Sequence, residues 1–248
     1  MIFYFCSMQK IWNKRLQVGW DETNLNGKLS LTGLSLILQR AAVEHAEQLG
    51  FGYSEISKDN VSWVLFRLNI ELVRLPEWKE KIRIQTWPRE IIGLAAFRDF
   101  ILLSEKGEVL CNASSEWLII DLTSRRPQRM DRFKEMAHLN TATKALTYKP
   151  PPLNTKCDFT PLFNVTTRHS DIDLNGHTNA RKYFDWLDDA IYQVHKEKEI
   201  SFLQMNYLNE CHLGEEITIE FCEEDKKTFR GLKKENGKTA FIAQVQFK

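Results

Sequence analysis

Acidic, amide and imidazole side chains alternate in one short stretch of the sequence. Asp173, Asn175 and His177 form a D-x-N-x-H array inside the polar segment 166–179. A carboxylate or an imidazole can transfer protons near neutral pH, and an amide can donate a hydrogen bond to an oxygen that gains negative charge. The array therefore predicts a hydrolytic site.

The array is followed by a predicted amphipathic helix that runs to about Lys196. Its apolar residues recur every three or four positions: Tyr183, Phe184, Trp186, Leu187, Ala190, Ile191 and Val194. Backbone N–H groups at a helix start suit a carbonyl oxygen that becomes negative. The alternative is an ordinary capping turn, because Asp-Leu-Asn-Gly is also a common turn sequence.

A second polar cluster, 209–212, ends the strand-like run 202–208. It contains Glu210, Cys211 and His212. Burial of so many hydrogen-bonding groups is costly unless they have partners or a function. The two clusters together favour a functional site over a structural turn.

The D-x-N-x-H array before a long helix, with Glu210-Cys211 at the end of the next strand, resembles the acyl-acyl-carrier-protein thioesterase family. The resemblance also includes 18–24 and 63–65, and it extends from about Trp12 to Phe247. It implies an enzyme that releases free fatty acid from acyl carrier protein in fatty acid biosynthesis. No cofactor is implied. The catalytic set implied by the resemblance is Asp173, Asn175, His177 and Glu210.

The order of periodic segments predicts an α+β fold. A helix with Leu34, Ile37, Leu38 and Ala41 on one face precedes alternating runs typical of antiparallel strands, and the second half repeats this order. The resemblance implies two tandem hot-dog domains, each a long helix wrapped by a curved antiparallel sheet. We expect an N-terminal domain at 1–121, a basic, proline-rich linker at 122–160 and a C-terminal domain at 161–248.

The repeat is visible residue by residue around the polar array. Asn24-Leu25-Asn26-Gly27-Lys28 aligns with the array at a constant offset of 149. Asn24 stands at the position of Asp173 and Lys28 at that of His177, so the first half lacks the groups that could act as base or acid. We predict one active site, in the second half.

The resemblance suggests that the non-catalytic first half houses the acyl chain. Apolar residues of its helix and first long strand are the candidates for the pocket: Leu34, Ile37, Leu38, Ala41 and Trp63. Plain core packing is the alternative for each of them.

Thioester hydrolysis needs an attacking group, oxyanion stabilisation and a proton for the leaving thiol. We expect Asp173 or Glu210 to direct the attack and His177 to transfer protons. Asn175 and N–H groups at the helix start would hold the carbonyl oxygen. Cys211 is the alternative nucleophile, while His169 and His212 are expected to be solvated or structural. His45, on the apolar face of the first-half helix, is expected to be a core histidine. No spacing matches a metal-ligand motif.

The net charge is +1, which gives no indication of nucleic acid binding, and no apolar run is long enough to cross a membrane. Positive charge is concentrated in 122–160, with eight Lys and Arg against three Asp and Glu. A basic cluster would suit docking of an acidic acyl carrier protein, although solvated linker charge is the alternative. The docking candidates are Arg125, Arg126, Arg129, Arg132, Arg181 and Lys182.

Five scattered cysteines without a C-x-x-C spacing argue against a disulfide framework or a zinc site and indicate a reducing compartment. The apolar segment 1–8 is a poor secretion signal, and Met8 is a possible alternative start. We therefore expect a cytoplasmic protein of bacterial type, either a monomer or a homodimer. Two other functions remain open: an acyl-coenzyme A thioesterase and a non-catalytic acyl-binding hot-dog protein.

Overall fold

The structure is a computed structural model that describes residues 10–130, 141, 143–147, 150, 153, 156–196, 198–224 and 227–248. The helices of these residues are Leu31–Gln48 (α1), Tyr53–Ile56 (α2) and Ala180–His195 (α3). The strands of the first half are Trp12–Gln17 (β1), Val61–Leu72 (β2), Lys81–Ile92 (β3), Ala95–Ser104 (β4) and Val109–Asp121 (β5). Those of the second half are Thr160–Thr166 (β6), Ile200–Tyr207 (β7), Glu216–Glu223 (β8), Lys227–Lys233 (β9) and Thr239–Phe247 (β10).

The strands form one ten-stranded antiparallel sheet in the order β1-β3-β4-β5-β2-β7-β10-β9-β8-β6. From the edge of the sheet inwards, the first half has the order β1-β3-β4-β5-β2 and the second half has β6-β8-β9-β10-β7. The two halves therefore have the same internal order. The halves meet where β2 pairs with β7, with Asn69 opposite Gln204. The two long helices also meet, because the Thr32 hydroxyl on α1 donates to Asp185 Oδ1 on α3 at 2.5 Å.

The periodic apolar faces of α1 and α3 form the core against the sheet. Leu34 and Leu38 on α1, and Phe184 and Leu187 on α3, are almost fully buried in one hydrophobic cluster. Each such side chain contributes about 1.5–3 kcal/mol relative to an exposed one. His45 is buried on α1, as predicted. The predicted α+β class and tandem hot-dog fold are confirmed.

The chain follows the same path before α1 and before α3. In segments 24–28 and 173–177 the first residue's N–H donates to the fifth residue's carbonyl oxygen, at 2.7 and 2.8 Å respectively. Gly27 and Gly176 have positive φ values of 69° and 77°, which glycine adopts without strain. The repeated turn is therefore structural, and the halves differ in the chemistry that it carries.

The expectation against disulfide bonds was wrong, because Cys157 and Cys222 form one. Cys157 lies three residues before β6, and Thr160 at the start of β6 pairs with Phe221 on β8. Strand pairing thus joins two cysteines that are 65 residues apart in sequence. A search for close cysteine spacing cannot detect such a pair.

The first part of the predicted linker folds back onto the first half. The Leu122 N–H donates to the Asn60 carbonyl oxygen at 2.9 Å, and the Gln128 N–H donates to that of Ile119 at 2.7 Å. These bonds place 122–130 beside the ends of β2 and β5. The helix predicted near 133–139 lies outside the described residues.

Candidate active site

The two polar clusters of the second half come together in space. The Thr178 N–H, one residue after the array, donates to the Cys211 carbonyl oxygen at 2.8 Å. This bond holds the turn against the segment that follows β7. As a result, Nε2 of His177 lies 3.1 Å from Oε2 of Glu210. The fold thereby unites an imidazole and a carboxylate that are distant in sequence.

His177 is half-buried, and its surroundings favour the neutral imidazole. Burial lowers the pKa of His177, the Glu210 carboxylate opposes that effect, and the nearby Arg125 guanidinium adds to it. Nε2 of His177 faces the Glu210 carboxylate, and the Arg125 guanidinium lies within hydrogen-bond distance of both ring nitrogens. A neutral histidine held by a carboxylate is suited to accept and return a proton near pH 7.

The Asp173 side chain shapes the turn that carries the array. Its Oδ1 accepts a hydrogen bond from the Asn175 backbone N–H at 2.9 Å, while its backbone N–H donates to the His177 carbonyl oxygen. This is an Asx turn, and the corresponding Asn24 side chain makes the same type of bond to the Asn26 N–H at 3.0 Å. Asp173 therefore positions the other two members of the array.

The Asn175 side chain is held by a residue of the first half. Its Oδ1 accepts from the Ser62 hydroxyl at 3.3 Å, and Ser62 is buried near the start of β2. In this arrangement Nδ2 is the donor that Asn175 can offer to a carbonyl oxygen. Ser62 could not be recognised from the sequence, because a single serine in a strand carries no local signal.

The start of α3 differs from the expected arrangement. The helix begins at Ala180, beyond the array, because the positive φ of Gly176 and an isolated bridge between Ile172 and Thr178 close a tight turn first. Asn179 caps the helix and accepts from the Arg181 N–H at 3.0 Å. The Thr178 and Asn179 amides also donate within the protein. The Asn175 side chain is therefore the better candidate donor to an oxyanion.

Arg125 extends into this site from the turn after β5. Its Nη2 forms an ion pair with Glu210 and lies 3.3 Å from Nδ1 and 3.2 Å from Nε2 of His177. We predicted Arg125 as part of a docking surface, but the structure places it against the acid and the imidazole. The basic run at 125–129 gave no signal that one arginine would separate from the others.

His212 lies beside the same group. Its ring is 4.8 Å from that of His177 in an edge-to-face arrangement, and the side chain is exposed. Ligand atoms of His177, Glu210 and His212 lie within 4.8 Å of one another, as in some metal sites. The Arg125 guanidinium already places a positive charge among them, so the arrangement fits an ion-pair network better than a metal centre. His169 is exposed in a short turn.

Cys211 does not have the surroundings of a thiolate nucleophile. Its side chain is fully buried, and burial raises the pKa of the thiol. Its backbone carbonyl oxygen accepts from Thr178 and so holds the array in place. These contacts favour a structural role for the residue.

The predicted pocket residues fall into two hydrophobic clusters. Leu34, Ile37, Leu38 and Ala41 belong to the main core. Trp63 is half-buried in a smaller cluster with Ile56, Val61, Ile119 and Met130. The main core also contains residues of the second half, such as Phe184 and Leu187, whereas the cluster around Trp63 contains none of them. The acyl-chain role of these residues stays a prediction.

The predicted docking residues differ in availability. Arg126 and Arg129 are exposed. Lys182 forms ion pairs with Asp171 at 3.4 Å and with Asp185 at 2.7 Å. Arg181 is half-buried, and Arg132 lies outside the described residues. Arg126 and Arg129 thus remain the most accessible candidates.

The first half has a different residue at the position of Glu210. The Leu29 N–H donates to the Pro76 carbonyl oxygen at 2.7 Å, which is the counterpart of the bond from Thr178 to Cys211. By this correspondence Leu75 occupies the place of Glu210. The first half thus lacks counterparts of Asp173, His177 and Glu210, which supports a single active site.

The fold places this protein in the class of double hot-dog proteins, and an acid, an amide and an imidazole lie at the junction of its halves. The sequence models of the acyl-ACP thioesterase N-terminal and C-terminal domains match residues 9–136 and 158–248. The chain belongs to the acyl-ACP thioesterase family.

Among curated relatives, the chain is similar to oleoyl-acyl carrier protein thioesterase 2, chloroplastic, of Arabidopsis thaliana. The two are 26% identical over 210 residues, which cover 77% of this chain and 57% of the relative. Palmitoyl-acyl carrier protein thioesterase, chloroplastic, of Gossypium hirsutum is 29% identical over 79% of this chain and 49% of its own length. The chain thus spans about half the length of these relatives.

Among solved structures, an acyl-ACP thioesterase from Bacteroides thetaiotaomicron superposes with a TM-score of 0.86 at 28% identity. The match covers 96% of this chain and 98% of that one. The 12:0-ACP thioesterase from Umbellularia californica has a TM-score of 0.82 at 21% identity, covering 97% and 98% of the two chains. The second match supports the fold alone.

Proposed function

We propose that the protein hydrolyses fatty acyl thioesters of acyl carrier protein and releases free fatty acid for fatty acid biosynthesis. The observation that carries this proposal is the contact between His177 and Glu210 beside Asn175, in a chain of the acyl-ACP thioesterase family. The relatives named above are described as thioesterases of oleoyl- and palmitoyl-acyl carrier protein, which supports the same substrate class.

The reaction adds water to the thioester carbonyl and expels a thiol. In the proposed mechanism the pair of Glu210 and neutral His177 removes a proton from the attacking water, and Asn175 Nδ2 donates to the carbonyl oxygen as it becomes negative. The tetrahedral intermediate then collapses, the carbon–sulfur bond breaks, and His177 delivers a proton to the leaving thiolate. Asp173 holds the turn in the required shape.

We further propose a division of labour between the halves. The N-terminal domain, 1–121, would hold the acyl chain, the segment 122–160 would connect the domains, and the C-terminal domain, 161–248, would supply the array and Glu210. Substitution of Ala41 by Phe should shorten the preferred acyl chain if α1 lines the pocket, because the added ring would occupy its volume. Unchanged chain preference in an enzyme that still folds would contradict this assignment.

Docking of the carrier is assigned to the exposed arginines Arg126 and Arg129. An acidic partner would be attracted by this surface, and the attraction should weaken as salt screens it. Replacement of both arginines by Glu should raise KM for the carrier-bound donor and leave KM for an acyl ester of a small uncharged thiol nearly unchanged. Equal effects on both donors, or none on either, would contradict the docking assignment.

The decisive experiment compares hydrolysis of matched acyl-carrier-protein and acyl-coenzyme A thioesters by the wild type and by His177→Gln. His169→Gln is the control, because His169 is an exposed histidine of the same segment. We expect faster release from the carrier protein, abolished only in His177→Gln. Preference for coenzyme A would identify an acyl-coenzyme A thioesterase, and acyl binding without turnover would identify a non-catalytic protein.

Two properties of the protein remain predictions. None of the described helices is long and apolar enough to span a bilayer. Cytoplasmic location can be tested by cell fractionation, and the choice between monomer and homodimer by light scattering at several concentrations.

A further inference from the structure

The charged residues of the 122–130 turn divide into two groups. Arg126 and Arg129 are exposed, whereas the Arg125 side chain is only 33% exposed and points into the site of the second half. A general basic surface would leave all three in solvent. One arginine therefore has a different task from its neighbours.

Arg125 contacts both members of the acid–imidazole pair. Its Nη2 pairs with Oε1 of Glu210, the other oxygen of which lies 3.1 Å from His177 Nε2. The same Nη2 is 3.3 Å from Nδ1 and 3.2 Å from Nε2 of His177, so the guanidinium contacts the imidazole as well as the carboxylate. The guanidinium thus fixes the carboxylate from one side while His177 contacts it from the other.

The backbone around Arg125 is built to present this side chain. Asp121 Oδ1 accepts from the N–H groups of Thr123 at 3.1 Å and Ser124 at 2.6 Å, and the Arg125 N–H donates to the Asp121 carbonyl oxygen at 2.9 Å. Arg125 itself has φ of 57°, in the left-handed region that favours glycine. A strained residue in an otherwise well-bonded turn points to a requirement for its side chain.

We propose that Arg125 is a positioning residue of the active site, supplied by the turn after β5 to hold the Glu210 carboxylate against His177. This inference rests on the proposed thioesterase function and adds a residue to its machinery. It also makes the site dependent on correct association of the halves, because the turn is bonded to the first half through Leu122 and Asn60.

The charges around the imidazole allow a direct test. Glu210 and Asp173 favour the protonated form of His177, whereas Arg125 and His212 oppose it. Removal of the guanidinium should therefore raise the pKa of His177. In the pH profile of kcat/KM, the acid limb should move to higher pH.

The test compares Arg125→Met and Arg125→Lys with the wild type, using an acyl ester of a small thiol as substrate so that carrier docking plays no part. Arg40→Met is the matched control, because Arg40 is exposed on α1. We expect Arg125→Met to lower kcat about tenfold to a hundredfold, with a smaller change in KM. The kcat of Arg125→Lys should lie between those of Arg125→Met and the wild type, since lysine retains the charge without the planar fork of the guanidinium.

A second readout does not depend on turnover. Titration of the His177 ring followed by NMR should show a higher pKa in Arg125→Met than in the wild type, and no change in Arg40→Met. An unchanged His177 titration in a folded Arg125→Met protein, or wild-type kcat on the small thioester, would overturn the proposal. Failure of the wild type to hydrolyse any thioester would refute the proposed function instead, while the titration would still report on Arg125.

Discussion

Glu210 Oε2 lies 3.1 Å from His177 Nε2, although the two residues stand on separate segments that meet only in the folded chain. Replacement of Glu210 by Gln keeps the shape of the side chain and removes its charge. Because the amide cannot accept a proton from water, we expect kcat for thioester hydrolysis to fall by about 10²- to 10⁴-fold. Steady-state kinetics on one acyl donor would measure the effect.

Glu216→Gln is the control for that substitution, because Glu216 is an exposed residue of β8 that pairs with Lys234. It should retain wild-type kcat. Full activity in Glu210→Gln would exclude the carboxylate from the mechanism and leave Asp173 as the acidic candidate.

Ser62 links the first half to the amide of the array through its 3.3 Å hydrogen bond to Asn175. Ser62→Ala should free the amide to rotate and weaken its contact with the developing oxyanion. A single hydrogen bond contributes about 0.5–1.5 kcal/mol, so kcat should fall about two- to tenfold with little change in KM.

Ser201→Ala provides a matched control, because the Ser201 hydroxyl donates to the Gln246 carbonyl oxygen at 3.1 Å on the outer part of β7. That variant should lose a similar hydrogen bond without loss of kcat. If both serine variants lowered kcat equally, the effect would be one of stability and the link from Ser62 to Asn175 would have no role in turnover.

Cys211 separates two chemical mechanisms, one with a thiolate nucleophile and one with an activated water. The thiol is buried and its pKa is raised, so little thiolate exists at neutral pH. We expect Cys211→Ala to retain kcat within about threefold while losing some thermal stability, since a small buried group is removed. A loss of activity as large as that of Glu210→Gln, together with a trapped acyl-enzyme in the wild type, would establish the thiolate mechanism.

The sequence predicted the repeated turn and both long helices because these features depend on local periodicity and on glycine at fixed positions. Gly27 and Gly176 mark the same turn in the two halves, and the structure shows the same backbone bonds there. The array itself was also visible, since its members are separated by one residue each.

Contacts between distant segments could not be read in this way. The pairing of β2 with β7 brings Ser62 of the first half near the array, and the fold of the 122–130 turn brings Arg125 to Glu210. Neither serine nor arginine has a local pattern that distinguishes a site residue from a solvated one. Their positions follow from tertiary packing, which no short stretch of sequence specifies.

The disulfide between Cys157 and Cys222 ties the segment before β6 to β8. Such a cross-link restricts the unfolded chain and typically adds about 2–4 kcal/mol to the free energy of unfolding. We expect Cys157→Ser and Cys222→Ser each to lower that free energy in urea unfolding, with kcat nearly unchanged because neither cysteine contacts the site residues described above.

Non-reducing peptide mapping should find the Cys157 and Cys222 peptides linked. Reduction should lower the stability of the wild type to that of the two variants. Stability that does not respond to reductant, with both thiols open to alkylation in the native protein, would show that the bond does not form in solution.

Asp188 on α3 should make stability depend on pH. Burial raises the pKa of its carboxyl group from the ordinary 3.8 to about 6, and the nearby Asp189 and Asp185 add to the effect. The folded state therefore binds the proton more tightly than the unfolded state, so the free energy of unfolding decreases as pH rises from about 4 to 6.

Asp188→Asn removes the charge and should reverse that loss. At pH 7.5 the variant should gain about 1 kcal/mol in urea unfolding, less than the full shift implies because the side chain is partly exposed. At pH 4, where the wild-type carboxyl group is protonated, the two proteins should be equally stable. Glu235→Gln, in an exposed turn, is the control and should change stability little at either pH. An Asp188→Asn gain of the same size at both pH values would mean that the stabilisation comes from packing rather than from relief of a buried charge.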